Sequence, residues 1–306
     1  MIQCFTNLVI LTKSTIFQPI QHQNIITFKI LFMKIFKFTL ILFGILLTIN
    51  TNAQESPKSL DGGYVSKFRI SAGVGTANYY GDLIKKSSLF TQTSFSFSAG
   101  LSYAFTNKLA ARLDVGIQKL QGADSKSGGA HKSRNLSFKS NVFDFALSGE
   151  YTILNLDNFP LSPYVSAGIG VMLFNPYAED VSGNRQSLSE LGTEGQGLAG
   201  YPGMYSTAAL EFPLGIGVKY PINEKITLAL DFNYRITRTD YLDDVSANRY
   251  PDKALLDARN PTTAKFTWRG NEVGQGSYPK NSALPRGNPD NKDGFFTTQL
   301  KVSFNL

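Results

Sequence analysis

Apolar and polar positions alternate along most of this chain, and the period of two persists where a helix would need 3.6. Eight stretches show it. Ser66–Tyr79 puts Phe68, Ile70, Ala72 and Val74 on one face, and Thr93–Phe105 does so with Phe95, Phe97, Ala99, Leu101, Tyr103 and Phe105. Leu109–Lys119, Val142–Thr152 and Tyr164–Phe174 follow, with outward sets such as Leu113, Val115 and Ile117, Phe143, Phe145 and Leu147, and Val165, Ile169 and Val171. Thr207–Tyr220, Ile226–Thr237 and Phe295–Leu306 complete the series. The last segment ends Leu300-Lys301-Val302-Ser303-Phe304-Asn305-Leu306, alternating up to the carboxyl terminus. Each stretch has roughly the 9–11 residues of a tilted strand crossing a bilayer. No sustained helical period interrupts them, and no helix is expected.

The connections alternate in length. Thr106–Lys108, Ile153–Pro163 and Pro221–Lys225 are short; Gly81–Gln92, Leu120–Asn135, Asn175–Tyr205 and Arg238–Gly294 are long. Short turns at one end and long loops at the other predict an all-β, eight-stranded, antiparallel up-and-down transmembrane β-barrel with long extracellular loops. An even strand count places both strand termini at the short-turn, periplasmic end. Tyr103, Phe105, Tyr151, Tyr220 and Phe304 are expected to form a lipid-facing aromatic belt there, and Tyr79, Phe174, Tyr205 and Tyr234 a second belt at the loop end.

The amino-terminal region changes what the composition means. Met33 to Ala53 reads as a signal peptide, with Lys34 and Lys37 ahead of the apolar Phe38–Ile49 and a cut after Ala53. Residues 1–32 read as an extension upstream of the true start at Met33. The domain expected to remain is 54–306. Without Lys13, Lys29, Lys34 and Lys37, 26 basic residues stand against 23 acidic ones, so the apparent basicity belongs mostly to the leader and argues against nucleic acid as a partner. Cys4 lies in the leader, and His131 is the one histidine after it. Thiolate chemistry, histidine metal clusters and Ser-His-Asp catalysis are therefore not expected, nor is any cofactor.

The face opposite the apolar one carries charge of both signs. Arg69, Arg112, Lys219, Arg235 and Lys301 stand against Asp114, Asp144, Glu150, Glu211 and Asp231, with Ser, Gly, Asn and Gln between. Charges of this number belong in a polar lumen shielded from lipid, where they pair. Eight strands leave room only for side chains, so a closed lumen is expected rather than a channel.

Two loop motifs stand apart. Leu191 precedes Gly192-Thr193-Glu194-Gly195-Gln196-Gly197, which reads as a tight loop with glycines at positive φ and Glu194 as its anchor, paired with a basic residue such as Arg235 or Arg238. Thr239-Asp240-Tyr241-Leu242-Asp243-Asp244-Val245-Ser246 holds three carboxylates within five residues. Asp240, Asp243 and Asp244 suit turn formation and, as a minor alternative, calcium. The stretch 247–294, rich in Pro, Asn, Gly and Lys, is expected to be disordered or to fold on a partner, with Trp268 in a short strand extending the hairpin or, as the lesser alternative, in an interaction patch.

Asn78-Tyr79-Tyr80-Gly81-Asp82, together with the Leu191–Gly197 and Thr239–Ser246 stretches, resembles the Bacteroidota outer-membrane β-barrel family DUF6089, over about residues 64–306. That family includes PorG-like barrels, outer-membrane components of type IX secretion. The resemblance implies no catalytic residues. The residues are read as a monomeric barrel in outer-membrane lipid acting as a structural or interaction component, and the resemblance implies periplasmic secretion-ring proteins as its partners. The alternative is a small transport or sensing barrel gated by 175–205 and 238–294.

Overall fold

The computed structural model describes residues 67–84, 88–127, 130–154, 161–279 and 285–306. The signal-peptide and extension readings lie outside these residues. Eight long strands form the barrel: β1 (Phe68–Tyr80), β2 (Ser94–Ala104), β3 (Leu109–Ala123), β4 (Ser137–Thr152), β5 (Ser162–Glu179), β7 (Ala208–Pro221), β8 (Ile226–Thr237) and β9 (Gly294–Asn305). A ninth strand, β6 (Arg185–Ser187), pairs only with the end of β5. Each barrel strand is antiparallel to its chain neighbours, and β1 pairs with β9 to close the sheet. In the closing register Ala72 faces Val302 and Val74 faces Leu300, which puts the alternating carboxyl-terminal segment inside the seam. Closure leaves no barrel strand with an open edge.

The expected inside and outside are the observed ones. Val74, Ile117, Leu147, Ile169, Ile216, Leu230 and Leu300 are exposed on the outer surface, while Arg112, Asp144, Glu150, Asp231 and Lys301 are buried. The lower aromatic belt is present, with Phe105, Tyr151, Tyr220 and Phe304 exposed. The upper belt differs from expectation. Tyr79 and Phe174 are buried, on the inward face of β1 and β5. Their parity is opposite to Val74 and Leu173, so the period of two itself places them inside. Tyr205 stacks on Tyr241 with centroids 4.3 Å apart, above the barrel rather than against lipid.

Three strands run past the lengths the alternation predicts. β3 continues to Ala123, β4 begins at Ser137 and β5 reaches Glu179. In these extensions the polarity inverts. The outward positions are Lys119, Gln121, Lys139, Asn141, Asn175 and Glu179, while the inward positions Leu120, Phe138, Val142, Phe174 and Ala178 are buried. Above the bilayer the outer face meets water, and the inner face packs against the loops.

Those loops form a folded cap. Ala77, Tyr79, Leu120, Phe138, Phe174 and Phe295 from the strand ends share one apolar cluster with Leu83, Leu136, Leu188, Leu191, Leu242, Val245 and Phe266 from the loops. The stretch 247–294 is not disordered in its described part. It contains two short helices, α3 (Lys253–Arg259) and α4 (Pro261–Thr267); earlier loops hold single helical turns at Asp124–Ser127 (α1) and Leu188–Leu191 (α2). Asp252 caps α3, its side chain accepting from the Ala254 amide, and Asn260 caps α4 through the Thr262 amide, with Pro261 in the first turn. Two turns of helix are too short to show a 3.6 period, so only the caps announce them. Trp268 ends α4 and is buried; it is not in a strand.

Candidate functional site

The lumen charges meet in two groups. Near the periplasmic end, Arg112 lies 3.0 Å from Glu150, 3.2 Å from Asp114 and 3.6 Å from Asp231. Lys219 bonds Glu150, and Lys301 bridges Asp114 at 3.6 Å and Asp231 at 3.5 Å. The Tyr164 hydroxyl donates to Asp231. Arg69 lines the same space. Farther up, Arg235 lies 3.6 Å from Asp144 and 3.7 Å from Glu211 and donates to Thr297. Between the groups Gln299 accepts from Ser98 and donates to Ser96. Neighbouring strands present glycine where the long side chains need room: a Cβ on Gly116 would sit 2.5 Å from the Asp144 carboxylate.

What space remains is small. The cavity among Arg69, Arg112, Asp114, Glu150, Lys219 and Lys301 has a volume of about 30 Å³. That is room for about one or two waters. Closely paired charges of both signs line this cavity.

The cap carries a second polar network, and the sequence motifs fall inside it. Gly192, Gly195 and Gly197 all take positive φ, as their loop requires. Glu194 accepts from the Ser246 and Ala247 amides and pairs with Arg286 at 2.5 Å. Its partner is thus neither Arg235, which points into the lumen, nor Arg238. Arg286 also donates to the Asp244 carbonyl and to Thr193. Asp244 further accepts from Thr193 and Tyr205. Arg134 clamps Asp124 through two bonds of 2.8 and 3.0 Å and donates to the backbone carbonyls of Asp82 and Arg286. The Gln196 side chain folds back to accept from the Glu194 amide, and Arg259 holds the Gln196 and Leu191 carbonyls.

Asp240, Asp243 and Asp244 do not converge on one point. Asp243 faces Tyr79, Asp244 faces Thr193, Tyr205 and Arg286, and among the described residues no three metal-ligating side chains are grouped to hold an ion. They build the cap. The Tyr79 hydroxyl lies 2.6 Å from Asp243 and 2.7 Å from Asp293. A phenol has one proton to give, so the second contact needs a protonated carboxyl. Burial pushes both Asp243 and Asp293 well above the ordinary carboxylate range, and neighbouring carboxylates add to it. Burial likewise raises Asp240 to about 7 and, against the pull of Arg286, Asp244 to about 6.

The sequence reading misses Arg134, Arg286, Asp82, Asp124 and Asp293 as parts of this network. Isolated residues in loops carry no periodic signal. Asp82 alone lies in one of the motifs.

Closed eight-strand topology, lipid-facing apolar bands and a charged interior agree with a comparison of the sequence to known families. The model of the outer membrane protein beta-barrel domain matches residues 41–254. The chain belongs to this outer-membrane β-barrel family. Membership places it in the bacterial outer membrane. Several solved outer-membrane structures are similar to it. Neisserial surface protein A is 12% identical, covering 79% of this chain and 98% of that one at a TM-score of 0.40. A major outer membrane protein from Thermus thermophilus is 14% identical, covering 78% and 97% at 0.39. OprG from Pseudomonas aeruginosa is 12% identical, covering 80% and 99% at 0.38. No curated protein matches the sequence.

Proposed function

We propose that this barrel is a monomeric structural or interaction component of the outer membrane, without catalytic or transport activity. The observation that carries this reading is the packed lumen: ion-paired side chains leave a cavity of about 30 Å³ beneath a folded cap. A barrel closed in this way offers rigidity and two exposed ends, and its periplasmic turns are the surfaces available to a partner inside the envelope. The resemblance of the Asn78–Asp82, Leu191–Gly197 and Thr239–Ser246 stretches to PorG-like barrels favours type IX secretion machinery as that partner. The structure adds that all three stretches build the cap, so the resemblance rests on cap architecture.

Crosslinking in intact cells followed by capture of the tagged protein tests this. Periplasmic ring proteins recovered in stoichiometric amounts, linked through Asn107, Lys108 or Asn223–Lys225, are the expected result. A barrel recovered alone would remove the secretion assignment.

A further inference from the structure

The outer surface of β3, β4 and β5 records where the bilayer ends. The last fully apolar outward row is Ile117, Phe143 and Leu173, which are cross-strand neighbours. The next outward row is Lys119, Asn141 and Asn175, and the one above it Gln121, Lys139 and Tyr177. At ~3.4 Å per residue and a strand tilt of ~40°, these rows stand about 5 and 10 Å above the last apolar row along the membrane normal. The polar headgroup zone is about 5–7 Å thick on each side, and a sugar-bearing headgroup extends beyond it. The rows therefore sit at the depth of headgroup phosphates and of the first sugars.

A cleft of about 260 Å³ opens at this level, lined by Gln121, Lys126, Lys139, Tyr177 and Arg269 among others. Arg185 lies over Tyr177, with its guanidinium carbon 3.4 Å from the ring centroid. Glu179 and Asp180 line the cleft as well, and both are engaged, as is the neighbouring Glu272. Glu179 pairs with Lys139 at 2.9 Å, Glu272 with Arg269, and Asp180 accepts from Ser182 and Asn184 within its own turn. Lys119, Lys126 and Arg185 are exposed and carry no ion pair among the described residues. The Lys139–Glu179 pair is exposed too, and such a pair is weak enough for a doubly charged phosphate to displace.

We propose that this cleft holds the phosphorylated sugar headgroup of an outer-leaflet glycolipid whose acyl chains lie against Ile117, Phe143 and Leu173. Lys119 meets the phosphate nearest the acyl region, Lys126 and Lys139 the sugar-borne phosphate, and the Gln121 amide and Tyr177 hydroxyl the sugar hydroxyls. The apolar band lies below the cleft on the same three strands, as one amphipathic ligand requires, and lysines serve phosphate as point charges without a fixed fork. The proposal is independent of any protein partner.

The test is native mass spectrometry of the full barrel refolded in phosphatidylcholine nanodiscs containing bisphosphorylated lipid A. The barrel carrying Lys119→Ala, Lys126→Ala and Lys139→Ala together should retain about tenfold less lipid A than the unaltered one, a difference of about 1.4 kcal/mol. The unaltered barrel should also prefer lipid A to its dephosphorylated form and to phosphatidylglycerol by a similar factor. Should the triple variant fail to fold, Lys139→Gln alone should still weaken retention measurably. Equal retention by variant and parent would overturn the proposal. So would equal retention of phosphatidylglycerol, which would reduce the site to a general attraction for anionic lipid. Emptying of the cleft by inorganic phosphate would assign it to a free anion instead, and would overturn the lipid source.

Discussion

Arg112 shows how a charge is kept inside a membrane-spanning protein. Its guanidinium fork reaches three carboxylates from three strands, Asp114 on its own β3, Glu150 on β4 and Asp231 on β8. Removing one member of such a group leaves the others buried without their partner. Arg112→Met should therefore cost roughly 3–5 kcal/mol, measured by urea unfolding in lipid vesicles, and adding Glu150→Gln should recover part of that loss. Strictly additive losses would mean the two do not share one network. The outer face follows the opposite rule. Leu230 is 58% exposed on mid-β8, and Leu230→Arg should cost roughly 2–4 kcal/mol in the same assay. Thr227 faces inward and is buried, so Thr227→Arg should carry no lipid penalty. A lipid penalty at Thr227 and none at Leu230 would mean the register is slipped by one residue.

At the scale of elements, the bilayer explains which parts of this fold were legible. Lipid imposes one rule on every outward position, so the eight strands show plainly as alternation. The rule stops at the membrane surface, and the pattern inverts: Phe138 and Phe174 turn inward to the cap while Lys139 and Asn175 turn outward. An alternation read with a single polarity ends the strands too early for this reason, and assigns Tyr79 and Phe174 to a belt. The cap was less legible still. Its order comes from long-range contacts such as Arg286 with Glu194 and Arg134 with Asp124, between residues that no local pattern links. The Asp252 and Asn260-Pro261 caps of α3 and α4 are local features, but two turns of helix between them leave no period to read.

The cap also has a direction to its pH dependence. Asp240, Asp243, Asp244 and Asp293 have folded-state pKa values raised by burial, to about 7 for Asp240 and about 6 for Asp244. A raised carboxyl binds its proton more tightly in the folded cap than in the unfolded chain. Its stabilising contribution is present in full below about pH 4 and is lost as pH rises through the folded value. Hydrogen exchange in residues 238–279, corrected for its intrinsic pH dependence, should therefore quicken between pH 5.5 and 8 while β1–β5 stay protected. Asp243→Asn should flatten that change. Slower exchange at the higher pH would contradict the assignment. Arg286→Ala should loosen the same segment at every pH, because Glu194, Thr193 and the Asp244 carbonyl lose a shared donor.

For the molecule as a whole, the lumen and the cap act in series. The ion-paired layer fills the barrel at its periplasmic end, the Arg235 group lies above it, and the apolar cluster around Tyr79, Leu120 and Phe295 covers the mouth. Loosening the cap alone should thus leave the barrel closed, since the charged layer is independent of it. Single-channel recording of the refolded barrel in planar bilayers tests the central claim most directly. The account predicts a silent membrane at all applied voltages, for the unaltered protein and for Arg286→Ala alike. Regular open-channel steps from the unaltered protein would contradict it.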